Sequence, residues 1–184
     1  MPNIITTKLD GLVEIRPKIF EDPRGYFFES FRKDWFDEVG ISVDWKQDNQ
    51  SFSQKGTVRG LHFQRAPYAQ AKLVRVVQGK VLDVAVDLRK GSPTFGQSHT
   101  VLLDAQLHNL LYVPVGFAHG FSVLEDAIFL YKCSEYYHFP SEGGIRWNDP
   151  ALGIDWKVSD PIISEKDQKW PSLQEFKEQS GGGL

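Results

Sequence analysis

Residues 81–89 hold apolar and polar side chains in alternation. Leu82, Val84, Val86 and Leu88 share one face, while Asp83, Asp87 and Arg89 share the other with Val81 and Ala85. Successive side chains of a strand point to opposite faces of its sheet, so this pattern commits the stretch to β structure. Residues 72–77 are apolar and β-branched, and Gln78-Gly79-Lys80 reads as a turn between the two runs. Hairpin-like segments are expected near 99–103 and 109–113, and a further strand over 127–134. Toward the N-terminus, 12–19 reads as a strand, Asp22-Pro23-Arg24-Gly25 as a turn, and 26–31 as the returning strand. Proline presets φ in such a turn and glycine tolerates a positive one. Residues 33–39 form a short helix candidate that stops at Gly40. Short β-rich runs between turn signals, with sixteen glycines and ten prolines spread along the chain, favour a sandwich or barrel.

The 184 residues suit one domain. We expect an N-terminal arm over about 1–45, a barrel core over about 46–140, and a C-terminal segment over about 141–179. Within that last segment, 162–170 packs across the barrel and 174–179 forms a short helix. The terminal Ser180-Gly181-Gly182-Gly183-Leu184 is expected to be a flexible tail. A net charge of −3 gives no nucleic-acid surface. The single cysteine, Cys133, cannot close an internal disulfide and fits a reducing compartment, with a structural thiol favoured over a nucleophile. The N-terminus lacks the pattern of a signal peptide, and no apolar run reaches the length of a membrane span, so a cytoplasmic protein with no membrane partner is expected.

Two segments carry candidate chemistry. In Arg59-Gly60-Leu61-His62-Phe63-Gln64, His62 reads either as a satisfied structural histidine or as a general base, since neutral imidazole is available near pH 7. Strict alternation would separate Arg59 and His62, unless Gly60 hosts a bulge that turns both inward. The segment Pro114-Val115-Gly116-Phe117-Ala118-His119-Gly120-Phe121 contains a Pro-x-Gly-x-x-His pattern that resembles the second motif of the cupin superfamily. In metal-binding cupins this histidine is a ligand, and the first motif supplies His-x-His and a downstream Glu. Here Gln64 stands in place of the second histidine, and no Glu lies between His62 and Gly79. Two histidines alone make a poor transition-metal site. His119 reads as a barrel-lining hydrogen-bonding group or as a substrate contact. Tyr131 alone reads as core, and Asp167 alone as a solvated charge.

Taken in order, the segments resemble the dTDP-4-dehydrorhamnose 3,5-epimerase family, from about Ile15 to Trp170. They include Asp22-Pro23-Arg24-Gly25-Tyr26-Phe27-Phe28-Glu29-Ser30, Gln47-Asp48-Asn49, Arg59 to Gln64, and Lys72-Leu73-Val74-Arg75. They continue through Asp83-Val84-Ala85-Val86-Asp87, Gly116 to Phe121, Tyr131-Lys132, Trp147-Asn148-Asp149 and Ser164-Glu165-Lys166-Asp167. The resemblance implies a mainly β, cupin-type jelly-roll barrel with short peripheral helices, a homodimer, and no metal or cofactor. It implies a dTDP-linked 4-keto-6-deoxy sugar as substrate. His62 matches the family base, Asp167 its carboxylate partner, Tyr131 the acid, and Lys72 the residue near the reacting oxygen. Arg24, Glu29, Gln47, Asn49, Arg59, His119, Glu142 and Lys166 match substrate-contacting positions, some of them given by the partner subunit in the family. Ala71 departs from the Gly that many members carry there.

These residue types suit epimerisation beside a ketone. Loss of a proton from carbon 3 or 5 leaves an enolate with its charge on the carbon 4 oxygen. An imidazole with a pKa of about 6.5 accepts that proton; a carboxylate fixes its tautomer; a phenol with a pKa of about 10 is protonated and can donate; cations stabilise the oxyanion. Arginine suits the diphosphate. Phe20, Phe27 and Trp170 are expected in the core, with thymine stacking as the alternative. The nearest rival is a mono-epimerase acting at carbon 3 or 5 only. A ketoisomerase of the same fold, a metal-dependent cupin and a non-catalytic sugar-nucleotide-binding barrel stand further off.

Overall fold

The computed structural model describes residues 1–184. In chain order, β1 (Asn3–Thr6) and β2 (Val13–Arg16) form a hairpin, and β3 (Phe20–Asp22) and β4 (Gly25–Phe27) form a second, separate one. A one-turn helix α1 (Asp34–Asp37) follows, then β5 (Gln47–Ser53), β6 (Val58–Gln64) and the long β7 (Lys72–Asp87). Next come β8 (Ser98–Asp104), β9 (Leu110–Val113), the longest strand β10 (Phe117–Cys133), and β11 (Glu142–Gly144). The chain ends in helix α2 (Leu173–Gln179), whose Ser172 and Glu175 form a reciprocal capping box.

Strands β7 and β10 pair antiparallel along nearly their whole length and form the spine of a nine-stranded sheet. β10 pairs with β6 along its first half and with β5 along its second. β7 pairs with β8 through residues 80–86 and with β9 through 72–75. β8 and β9 therefore flank different halves of β7, and do not form the hairpin the sequence favours. β2 extends the sheet beyond β9, through the pairing of residues 13–15 with 110–112.

The alternation over 81–89 is present, with both faces buried. Val81 and Ala85 join an inner cluster with Val74, Val76, Phe121 and Phe129. Val84, Val86 and Leu88 pack outward beneath Ile145, Leu152, Trp156 and Phe176 of the C-terminal segment. A third cluster covers the other end of the sheet, where Trp35 and Phe36 of α1 lie on Leu73, Leu110 and Tyr112.

Two slips in register place the functional side chains. The expected turn at 78–80 is instead an irregularity within β7, with Gly79 at φ 74° and the pairing to β10 shifting beside it. Inward positions are even before it (Val74, Val76) and odd after it (Val81, Ala85), so Lys72 and Asp83 share the inner face. A positive-φ glycine serves a bulge as well as a turn, and pairing to β10 decides between them. In β6, His62 pairs with His119 and Arg59 with Phe121, three residues against two. This is the bulge that Gly60 was expected to permit, with φ 137° there. Val58, Leu61 and Phe63 pack outward, and Arg59 and His62 face the opposite way. A Cβ on Gly60 would lie 2.7 Å from the Cα of Gly120, so β6 crosses β10 at a glycine pair.

Three further expectations are corrected. The tail is docked: Leu184 donates its N–H to Leu88 O at 2.8 Å and accepts from Lys90 N at 3.0 Å. Glycines 181–183 all take positive φ, which turns the chain back onto Leu88–Lys90. The returning strand of the first turn ends at Phe27 instead of residue 31. Phe20 and Phe27 are not core residues; they are 50% and 65% exposed on the β3–β4 hairpin. No helix is long and apolar enough to cross a membrane.

Candidate active site

The inner face of the sheet opens into a cleft of about 870 Å³ bordered by β6, β10 and the chain after Ile162. That chain returns through a parallel bridge between Ile162 and Thr57, then makes a one-turn 3₁₀ helix at Asp167–Lys169. The turn sets Asp167 beside the β6 bulge. His62 Nε2 lies 2.7 Å from Asp167 Oδ1, and the Gly60 N–H donates to Asp167 Oδ2 at 3.2 Å. Burial pushes the Asp167 carboxyl up, but the hydrogen bond and charge of His62, then the Gly60 N–H, outweigh it and hold the group below its ordinary range. The His62 side chain is 26% exposed and Asp167 4%, so the imidazole reaches the cleft from a buried anchor.

A second histidine–aspartate pair lies deeper. His119 Nε2 is 3.0 Å from both oxygens of Asp83, whose side chain is fully buried. Burial holds His119 below the ordinary imidazole value, despite the opposing charge of Asp83 and its hydrogen bond.

Lys72 begins β7 opposite Cys133 of β10 and Val113 of β9. Its ammonium makes no salt bridge within the chain, and burial lowers its pKa. Tyr131, on β10 between Asn49 of β5 and Val74 of β7, has its phenol pushed up by burial and stays protonated. Arg59 is steered by a hydrogen bond from its Nε to Ser53 Oγ at 2.9 Å. At the mouth, Lys166 Nζ donates to Glu142 Oε1 at 2.7 Å and the Tyr137 hydroxyl to Glu142 Oε2 at 3.2 Å. A smaller recess of about 280 Å³ shares His62, Lys72 and Tyr131 and adds Gln47, Asn49 and Cys133. There Gln47 donates to Asn49 at 2.9 Å, and Asn49 faces the buried Cys133 sulfur at 3.6 Å.

His62, Lys72, Tyr131, Asp167, Arg59, His119, Glu142, Lys166, Gln47 and Asn49 thus line one connected site. Arg24 and Glu29 stand apart from it. Arg24 sits in the β3–β4 turn, 90% exposed and paired with Asp22, and Glu29 pairs with Arg32.

The cupin-like donor positions are engaged otherwise. Gln64 donates to the carbonyls of Tyr68 and Tyr136 and accepts from the His138 N–H, as a strut between loops. The two histidines are turned to separate carboxylates, and no group of three or more His, Cys, Asp or Glu side chains converges as a metal site.

Two residues of the site, Asp83 behind His119 and Tyr137 on the lining, are not singled out by a reading of the sequence. Asp83 is visible only as a carboxylate on a face it shares with Val81 and Ala85, which becomes informative once both faces of β7 are buried. Tyr137 lies in an irregular loop with no periodic signal.

Known proteins are similar to this chain in sequence and fold. A family model described as dTDP-4-dehydrorhamnose 3,5-epimerase matches residues 6–175. The dTDP-4-dehydrorhamnose 3,5-epimerase of Methanothermobacter thermautotrophicus is 50% identical over 175 residues, covering 93% of this chain and 94% of its own. The dTDP-6-deoxy-D-glucose-3,5-epimerase of Legionella pneumophila, solved in complex with dTDP-4-keto-L-rhamnose, superposes with a TM-score of 0.92 at 47% identity, over 97% of this chain and 96% of its own. A 3'-monoepimerase of Streptomyces bikiniensis in complex with dTDP-quinovose reaches a TM-score of 0.89 at 34% identity, over 96% and 90% of the two chains. By sequence, fold similarity and the extent of these matches, the chain belongs to the dTDP-4-dehydrorhamnose 3,5-epimerase family.

Proposed function

We propose that this isomerase inverts carbons 3 and 5 of dTDP-4-dehydro-6-deoxy-D-glucose to give dTDP-4-dehydro-L-rhamnose. The observation that carries the reading is the 2.7 Å contact of His62 with Asp167, at the edge of a cleft that also holds Tyr131 and Lys72. His62 takes the proton beside the ketone, and the electron pair of the broken C–H bond moves to the carbon 4 oxygen. Asp167 holds the imidazole and stabilises its charged form. Lys72, with Arg59 nearby, stabilises the enolate oxygen. Tyr131 returns a proton to the opposite face of the carbon.

Gln47, Asn49, His119, Glu142 and Lys166 bind the substrate in this reading. Arg24 and Glu29 lie outside the cleft of their own chain, which supports a homodimer in which each hairpin serves the partner copy. The reading requires no cofactor, and the single buried thiol fits a cytoplasmic setting.

Incubation with dTDP-4-dehydro-6-deoxyglucose in deuterated water, followed by NMR, tests the proposal. Deuterium is expected at both carbons. Label at one carbon only would make the chain a mono-epimerase, and tight binding without exchange would make it a sugar-nucleotide-binding barrel. Tyr131→Phe should spare the first proton removal more than completed inversion.

A further inference from the structure

One buried side-chain polar atom in the chain has no hydrogen-bond partner: the indole Nε1 of Trp170. Buried donors are nearly always paired, so an unpaired one marks a place where packing has been arranged for another end. Trp170 caps the 3₁₀ turn that carries Asp167. Side chains three residues apart eclipse in a 3₁₀ turn, which delivers the indole to the same side as the carboxylate. The ring lies flat on Gly144, where a Cβ would come within 2.6–2.7 Å of three indole atoms, Nε1 among them. Gly144 is the register partner of His62. The indole meets the imidazole edge-on, with centroids 6.3 Å apart and planes at 70°. The N–H therefore stands unpaired on the side of the His62–Asp167 pair, and it adds only the smallest of the contributions, after His62 and Gly60, that hold the Asp167 carboxyl low against burial.

We propose that Trp170 is a positioning residue for proton transfer: its indole N–H completes the donors around Asp167 as His62 takes up the proton, and its ring fixes the imidazole plane. The inference rests on the reading of His62 and Asp167 as the catalytic pair. A carboxylate has about four acceptor positions. Within the chain Asp167 receives the His62 ring and the Gly60 N–H on its two oxygens. When the C–H proton moves to His62 the pair becomes imidazolium and carboxylate. A further donor on the carboxylate keeps that proton on the histidine instead of passing it to Asp167.

Trp170→Phe keeps the ring and removes the N–H. Deuterium wash-in should slow about tenfold, the rate change that one hydrogen bond is worth. KM and the Kd for dTDP should be unchanged, and the acid limb of the pH–rate profile should move to higher pH, because His62 then faces a less neutralised carboxylate. Trp170→His, a smaller ring that keeps an N–H, should recover part of both effects. A lowered Tm with wild-type rate and profile would reduce Trp170 to packing, and a weakened dTDP complex would make it a substrate contact; either overturns the inference. So would equal behaviour of the Phe and His variants. His62→Ala run in parallel separates the two levels. Exchange that survives it sinks the catalytic pair and this inference together, whereas exchange lost there but untouched in Trp170→Phe sinks the inference alone.

Discussion

The chain builds two histidine–aspartate pairs from adjacent strands and uses them differently. His62 and His119 are register partners across β6 and β10, so both pairs descend from one rung of the sheet. Asp83 reaches His119 from the neighbouring strand β7, with both side chains enclosed. Asp167 reaches His62 from a 3₁₀ turn outside the sheet, and this leaves the imidazole open to the cleft. Asp167 also receives a backbone N–H from the bulge. Asp83 has its contacts with the His119 ring and no backbone donor. The same two residue types therefore yield a solvent-reaching base on a held carboxylate, and a wall whose histidine is kept neutral by burial. Access and second donors set the role, more than residue type does.

That contrast is most exposed to substitution at the two carboxylates. Asp167→Asn keeps the shape but removes the charge that orients and stabilises imidazolium. Deuterium wash-in should fall by about 10²–10⁴-fold, the range typical of a positioned base and its orienting partner. Asp83→Asn should lose less activity and more stability. It breaks a fully buried pair, with an expected cost of about 2–4 kcal/mol in urea unfolding. If Asp83→Asn matched Asp167→Asn in exchange while leaving stability intact, the division of roles would be wrong.

The strands that carry these residues were legible because alternation is a local signal. The pairing that gives them meaning was not. His62 and Asp167 are 105 residues apart, and nothing near either one announces the other; only resemblance to a family linked them. The misread turn at Gly79 is instructive for the opposite reason. Gly79 does take the positive φ that a turn would use, but a bulge in a continuous strand asks for the same residue. Burial on both faces of β7 was equally invisible from the strand itself. It depends on a C-terminal segment that covers the outer face from more than fifty residues downstream. Phe20 and Phe27 failed in the reverse sense, since aromatic character alone does not say whether a hairpin folds back onto its own core.

Burial of His119 has a consequence for acid stability. Its pKa is lowered in the folded chain, so below about pH 6.5 the unfolded chain takes up a proton that the native state refuses. The stabilisation from neutral His119 is complete above that pH and declines as pH falls, by at most about 1.4 kcal/mol per pH unit for one proton. Urea unfolding between pH 7 and 5 should show this slope, and His119→Asn should flatten it. His99 and His108 are also lowered by burial and should leave a remainder. An unchanged slope in His119→Asn would mean that the deep pair is not held neutral.

Asp167 should give the smallest effect, in a lower window. Its folded pKa lies below the ordinary value of about 3.9, so ionised Asp167 stabilises the fold at neutral pH. That contribution is full above about pH 5 and is lost as pH falls through the folded value. Burial opposes the contacts with His62 and Gly60, and the net shift is downward. The stability difference between the native chain and Asp167→Asn should therefore shrink as pH falls from about 5 to 3. A difference that grew over that range would mean that Asp167 is protonated more readily in the fold than outside it. The cleft pair would then resemble the deep one in being ruled by burial, and the contrast between a held carboxylate and an enclosed wall would fail at its first term.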